Sequence, residues 1–224
     1  LPQLQNSGAV TIVNICGTTI EEYEELTRIL SDVEGVAAIE LNISCPNIKA
    51  GGITFGCNLA GTHDVVQAAK RATHLPVIPK LTPNVTDIAS FARVAEEAGA
   101  DAVSLVNTFL AMSIDVETRR SRLANVVGGL SGPAIRPIAV RMVYECHQAV
   151  SIPIIGMGGI TTANDVLEFM IAGASAVQVG TANFVDPYIW KKLMIGLNDY
   201  LEKHEIKRLR DIIGTLEVDL AEEA

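Results

Sequence analysis

The residues best suited to chemistry fall at the ends of short apolar runs. Cys45 lies in Asn42-Ile43-Ser44-Cys45-Pro46-Asn47, with Gly51, Gly52 and Gly56 close behind. A thiol in a glycine-flanked loop suits a mobile lid that carries a base or a nucleophile. A cysteine is otherwise a small buried hydrophobe, which is how Cys16, Cys57 and Cys146 read. Lys80 follows Val77-Ile78-Pro79, where an ammonium group is costly unless an anion or an electron-rich ring faces it. Asn42, Asn47 and Asn107 offer uncharged donors and acceptors, as a planar polar substrate requires. Gly156-Met157-Gly158-Gly159-Ile160 and Gly180-Thr181-Ala182 supply backbone N–H groups of the kind that cradle phosphate. The four histidines lie in helical or helix-end stretches without ligand spacing and read as surface or cap residues, so no metal site is expected. A Gly-x-Ser-x-Gly elbow, a Walker loop and paired carboxylates at strand ends are all missing from the pattern, which argues against hydrolase and kinase chemistry.

The elements that must position these residues alternate along the chain. Val- and Ile-rich runs at 11–16, 38–43, 77–81, 102–107, 154–156 and 176–180 are each followed by a longer amphipathic stretch, the pattern of a parallel α/β fold. Thr19 with Glu22 forms a capping box ahead of apolar Ile20, Tyr23, Leu26, Ile29 and Leu30 at helical spacing. Gly35, Gly99 and Gly173 each read as a helix stop directly before a buried strand. Pro76 and Pro153 read as first residues of strands, where no interior donor is lost.

Such units build either an open doubly wound sheet or a (β/α)8 TIM barrel, and the glycines choose between them. Two successive strand ends expose backbone N–H groups, as in the phosphate site after barrel strands 7 and 8, whereas a dinucleotide fold has its glycine turn after strand 1. Counted backwards, the visible strands are 3 to 8, and strands 1 and 2 are missing from this chain. Asn14 then follows strand 3, Asn42 strand 4, Lys80 ends strand 5, and Asn107-Thr108 follow strand 6. The stretch 109–135, with Gly128, Gly129, Gly132 and Pro133, is too long for an ordinary connection and reads as a functional loop.

A chain of 224 residues, 49% hydrophobic and 19% charged, reads as one globular domain spanning 1–224, with an acidic tail at about 217–224. Seventeen basic against 26 acidic residues give a net charge of −9, which disfavours nucleic acid as a partner. No apolar run is long enough for a membrane span, and the start Leu1-Pro2-Gln3 has no signal-peptide character and lacks Met, as a crop of a longer gene product would. Four cysteines without a Cys-x-x-Cys pattern suggest a reducing compartment, with cytoplasm as the default.

The string Glu40-Leu41-Asn42-Ile43-Ser44-Cys45-Pro46-Asn47, with Lys80-Leu81-Thr82-Pro83-Asn84-Val85-Thr86 and Gly128-Gly129-Leu130-Ser131-Gly132-Pro133-Ala134-Ile135, resembles class 1 dihydroorotate dehydrogenase over essentially the whole chain. The run Gly156-Met157-Gly158-Gly159-Ile160 with Val179-Gly180-Thr181-Ala182-Asn183-Phe184 resembles the NAD-dependent subclass, class 1B. The resemblance implies an oxidoreductase of pyrimidine biosynthesis in which Cys45 removes the C5 proton of dihydroorotate while the C6 hydride goes to FMN. It implies that Asn42, Asn47, Asn107 and Thr108 hold the substrate and that Lys80 faces the flavin pyrimidine edge. Asn14 and Asn42 would touch the flavin, Val106 and Gly132 would pack by it, and Gly158, Gly159, Gly180 and Thr181 would hold its phosphate. The implied partner is an electron-transfer subunit carrying FAD and an iron–sulfur cluster, joined to a homodimer of this chain in a heterotetramer. The family's first two strands have no counterpart here. The alternatives are a fumarate-dependent class 1A enzyme, another FMN barrel acting on pyrimidines, or a non-catalytic scaffold if the gene begins at residue 1.

Overall fold

A computed structural model describes residues 8–44 and 55–218. The chain opens with β1 (Thr11–Ile15), α1 (Ile20–Ser31), β2 (Val36–Leu41), α2 (Leu59–Arg71), β3 (Val77–Leu81), α3 (Ile88–Glu97) and β4 (Val103–Leu105). Four short strands follow, β5 (Phe109–Met112), β6 (Ile114–Asp115), β7 (Arg120–Ser121) and β8 (Val127–Leu130). The alternation then resumes with α4 (Arg136–His147), β9 (Ile154–Met157), α5 (Ala163–Ile171), β10 (Ala176–Gln178), α6 (Thr181–Val185) and α7 (Ile189–Lys203). Among the described residues the main sheet has six strands in the order β1-β2-β3-β4-β9-β10, so spatial order follows chain order. Every neighbouring pair in it is parallel.

The sheet is curled. Glu40 on β2 accepts a hydrogen bond of 2.8 Å from Gln178 on β10, four strands away. In a flat sheet those strands would lie about 19 Å apart, at about 4.8 Å per step. The two faces carry separate apolar clusters, as a curled sheet demands. Ile39, Leu41, Val77, Leu81, Val103, Leu105 and Ile154 belong to the large cluster shared with the helices. Ala38, Ile78 and Ala102 form a small second cluster with Ile155 on the concave face. One step further along that face stand Glu40, Lys80 and Ser104, because side chains alternate along each strand. This is barrel curvature, and β1 and β10 are the sheet's ends among the described residues.

Local signals explain the elements. The Thr19 hydroxyl accepts the Glu22 N–H at 3.2 Å, while the Glu22 carboxylate takes the Thr18 N–H at 2.5 Å, one residue earlier than a standard capping box. Gly35, Gly99 and Gly173 have φ of 90°, 95° and 120°, the left-handed conformation that lets the chain leave a helix for the next strand. Pro76 and Pro153 stand one residue before their strands rather than inside them. Their carbonyls accept from Ile39 (2.9 Å) and Val103 (3.0 Å), so they extend the ladder without needing a donor.

The stretch 109–135 is not an irregular loop. It folds as two antiparallel ribbons, β5 with β8 and β6 with β7, followed by a 3-10 turn at Pro133–Ile135. Asn84 fixes the root of the first ribbon, donating to the Thr108 carbonyl and accepting from the Leu110 N–H, both at 3.0 Å. The histidine at the end of α4 is a packing residue as well as a helix end. A Cβ on Gly173 or Gly214 would lie within 2.5 Å of the His147 ring, so both glycines make room for it. Among the described residues no helix is long and apolar enough to cross a membrane.

Candidate active site

The C-terminal ends of the parallel strands surround a cleft of about 700 Å³, within the range of small-molecule and cofactor sites. Lys80, Val106, Asn107, Thr108, Gly132, Gly158, Gly159, Gly180 and Thr181 all line it. These residues come from five different strand ends or loops, and the backbone ladder places them. Beyond β4 the Leu105–Val106 peptide is cis. The Val106 N–H then bonds to the Met157 carbonyl (3.1 Å) and the Asn107 N–H to the Leu81 carbonyl (3.0 Å), which locks the β4 exit between its two neighbours.

Asn107 organises one wall. Its Nδ2 donates to Asn42 Oδ1 at 3.1 Å and to Ser44 Oγ at 2.7 Å, and its Oδ1 accepts the Thr108 N–H at 2.7 Å. Asn42 is held in turn by its N–H on the Ile15 carbonyl (2.8 Å) and by the Tyr23 hydroxyl on its own carbonyl (2.7 Å). The polar cluster therefore sits where the segment bearing Cys45 and Asn47 departs. Cys45 and Asn47 themselves, with Gly51 and Gly52, lie outside the described residues.

Glycines form the opposite wall. Gly158 and Gly159 have φ of 136° and 75°. A Cβ on Gly159 would lie 2.6 Å from the Gly132 carbonyl oxygen, so the turn after β9 is pressed against the end of the ribbon segment. Gly180 differs, because a Cβ there would meet nothing within 4 Å. Its neighbour Thr181 donates to the Ser131 hydroxyl at 2.8 Å. Behind this wall Asp165 caps α5 and accepts the Thr161 and Thr162 N–H groups, both at 2.8 Å, and the Thr161 hydroxyl at 3.0 Å. Burial pushes the Asp165 carboxyl up, but the Thr161 and Thr162 donors and the paired Arg136 guanidinium outweigh it and hold the group below the usual carboxylate range.

Lys80 has an anion, and the protein supplies it. Its Nζ lies 3.9 Å from Glu40 Oε2, and the Glu40 side chain is only 6% exposed. Glu40 also accepts from Asn14 Nδ2 (2.5 Å), Ser104 Oγ (2.7 Å) and Gln178 Nε2 (2.8 Å). The burial of Lys80 is thus partly an internal matter, and Asn14 is drawn onto Glu40 rather than lining the cleft. Sequence reasoning missed Glu40, Ser44, Ser104, Ser131 and Gln178. One signal was available: Glu40 is a lone acid in the apolar run 36–41, as Lys80 is a lone base in β3.

Comparison with known proteins gives the family and the fold. The sequence profile of the dihydroorotate dehydrogenase family matches residues 2–201. The chain is 52% identical over 217 residues to the protein of Bacteroides fragilis named dihydroorotate dehydrogenase B (NAD(+)), catalytic subunit, covering 97% of this chain and 72% of that one. It is 51% identical over 218 residues to the protein of the same name from Citrifermentans bemidjiense, with the same two coverages of 97% and 72%. Among solved structures it is similar in fold to the dihydroorotate dehydrogenase of Eimeria tenella crystallised with ferulenol, at a TM-score of 0.74 and 24% identity. That superposition covers 88% of this chain and spans 57% of the solved one.

Proposed function

The chain belongs to the dihydroorotate dehydrogenase family, and we propose that it forms the catalytic part of an NAD-dependent enzyme that oxidises dihydroorotate to orotate in pyrimidine biosynthesis, with FMN as its cofactor. The observation that carries this reading is the convergence of Lys80, Asn107, Thr108 and the two glycine turns on one cleft of about 700 Å³ at the carboxyl ends of the strands. The residues fit FMN: the open space at Gly180 and the tight Gly158-Gly159 turn make a cradle of backbone donors, and Lys80 stands inside the cleft.

In this reading Gly158, Gly159, Gly180 and Thr181 hold the phosphate, Val106 and Gly132 pack beside the ring system, Asn42 supports the pocket through Asn107, and Asn14 acts from behind it through Glu40. Bound FMN supplies a two-electron acceptor for the hydride that leaves C6 of the substrate. Lys80 presents a fixed cation where negative charge develops during the reaction. Asn42, Asn47, Asn107 and Thr108 hold the substrate carboxylate and ring amides. Cys45 takes the C5 proton, so that loss of that proton and of the C6 hydride leaves the C5–C6 double bond of orotate. A cysteine of ordinary pKa, about 8.5, is mostly a thiol at neutral pH. Cys45 must therefore be held against C5 of the substrate with water excluded for the base to act.

The electrons leave through a second subunit carrying FAD and an iron–sulfur cluster, as the resemblance to the NAD-dependent subclass implies and as fits a sequence without a cysteine cluster motif. The assembly is a homodimer of this chain within a cytoplasmic heterotetramer. The domain, 1–224, is a barrel that two further strands between β1 and β10 would complete. Dihydroorotate-dependent NAD reduction tests the reading, measured on the purified subunit alone and after co-expression with the electron-transfer subunit. Efficient NAD reduction is expected only from the pair. Efficient NAD reduction by the lone subunit, or efficient turnover with fumarate, overturns the two-subunit relay, and an absence of orotate under every condition overturns the activity.

A further inference from the structure

Glu40 is a buried carboxylate that the proposed mechanism does not use. Its residue is 4% exposed, and donors from three strands converge on it: Asn14 from β1, Ser104 from β4 and Gln178 from β10. All three donate, which suits an ionised, acceptor-only carboxylate. Lys80 on β3 completes the ring at 3.9 Å. That distance exceeds a hydrogen bond, so the pair is held by charge and the lysine keeps its N–H donors for the cleft. Lys80 and Gln178 line the cleft, whereas Glu40 stands behind them. A glutamine at position 40 keeps the shape and one acceptor oxygen for Ser104 and Gln178, and a flipped Asn14 amide could accept from its NH2, so what the carboxylate adds is its charge and an acceptor on the Lys80 side.

We propose that Glu40 is a positioning residue that, from inside the barrel, holds the Lys80 ammonium at the floor of the cleft and offsets part of its charge, thereby setting the reduction potential of the flavin. This rests on the proposed function, which puts FMN beside Lys80. Loss of the carboxylate strengthens the positive field of Lys80 in the cleft, favours the more negative reduced flavin, and raises the potential. A tenfold change in that equilibrium is, for a two-electron couple, about 30 mV.

The test compares Glu40→Gln, which keeps shape and removes charge, with Glu40→Asp, which keeps charge and shortens the arm. The midpoint potential of the flavin is measured by dye equilibration in the assembled enzyme, together with the visible spectrum and thermal stability. The expected result is a tenfold shift toward reduction in Glu40→Gln and a potential near the parent's in Glu40→Asp. The reverse ranking, equal shifts, no shift, or failure of both variants to fold assigns Glu40 to the frame of the barrel and overturns the proposal. A parent protein that binds no flavin refutes the proposed function and this inference with it. A flavin-loaded parent whose potential is indifferent to Glu40→Gln refutes this inference alone.

Discussion

Substituting Gly180 with aspartate isolates the phosphate site from the fold. The φ of Gly180 is negative, −99°, so no left-handed backbone is needed there, and a Cβ meets nothing within 4 Å. Gly180→Asp therefore places a carboxylate in the cleft at little steric cost. A flavin phosphate carries about −1.5 to −2 charges at neutral pH. A unit negative charge about 5–6 Å away, at an effective dielectric of about 20, opposes each unit of that charge by about 3 kcal/mol. Screening at a cleft open to solvent reduces the total, so we expect a loss of about 2–4 kcal/mol, or roughly 30- to 1,000-fold in FMN affinity. Gly180→Asn is the neutral control of the same shape and Gly180→Ala the minimal one. Fluorescence titration of FMN into apoprotein gives the affinity, and thermal unfolding of the apoproteins should agree among all three to within about 1 kcal/mol. Gly159→Ala marks the contrast. Its Cβ would lie 2.6 Å from the Gly132 carbonyl oxygen at a φ of +75°, so flavin loss there comes with lost stability, by about 2 kcal/mol or more. Parent-like FMN affinity in Gly180→Asp, or an equal loss in Gly180→Asn, would show that Gly180 does not face the phosphate.

Three further outcomes follow from the packing. The Asp165 carboxyl titrates below its unfolded value of about 3.9, so its stabilisation is complete above that pH and is lost as pH falls through the lower folded value. Asp165→Asn should cost about 1–3 kcal/mol at neutral pH and remove that part of the acid limb in a urea-melt pH series; an unchanged limb contradicts the assignment. Burial, with Glu145 adding to it, pushes the Cys146 thiol up to about 12, so Cys146 should resist iodoacetamide at neutral pH until denaturant is added, as mass spectrometry of the peptides can show. Asn84→Ala frees the Thr108 carbonyl and the Leu110 N–H, and hydrogen exchange should speed up in β5 with no change in β2. Equal exchange in β5 would show that Asn84 does not anchor the ribbon.

Much of the frame was legible because a parallel strand buried on both faces reads as an unbroken apolar run. Each of the six strands described in the sheet overlaps one of the Val- and Ile-rich runs, although the edge strands β1 and β10 are only partly buried, and Gly35, Gly99 and Gly173 mark where helices hand over to strands. The strand-end rule was enough to collect Lys80, Asn107, Gly158 and Gly180 around one cleft. The ribbons were not legible, because Gly128 and Gly129 look like loop residues and because Leu110, Met112 and Val127 are exposed. Amphipathic alternation cannot be seen where no face is buried. In fact the glycine is required by the fold: a Cβ on Gly129 would lie 2.3 Å from the Thr108 hydroxyl. Glu40 escaped for a different reason. Its partners stand 26, 64 and 138 residues away in sequence and meet it only when the sheet curls.

In the proposed reaction dihydroorotate delivers its electrons to a flavin in this cleft while Cys45 removes the proton. Single-turnover reduction under anaerobic conditions tests it most directly, with flavin absorbance and orotate followed in the same sample for the parent and for Cys45→Ser. The expected result is bleaching of the parent flavin with one orotate formed per flavin, and in Cys45→Ser a rate lower by about 10²–10⁴-fold at little changed substrate affinity. A flavin-loaded parent that dihydroorotate leaves oxidised, or a Cys45→Ser variant reduced as fast as the parent, would contradict it.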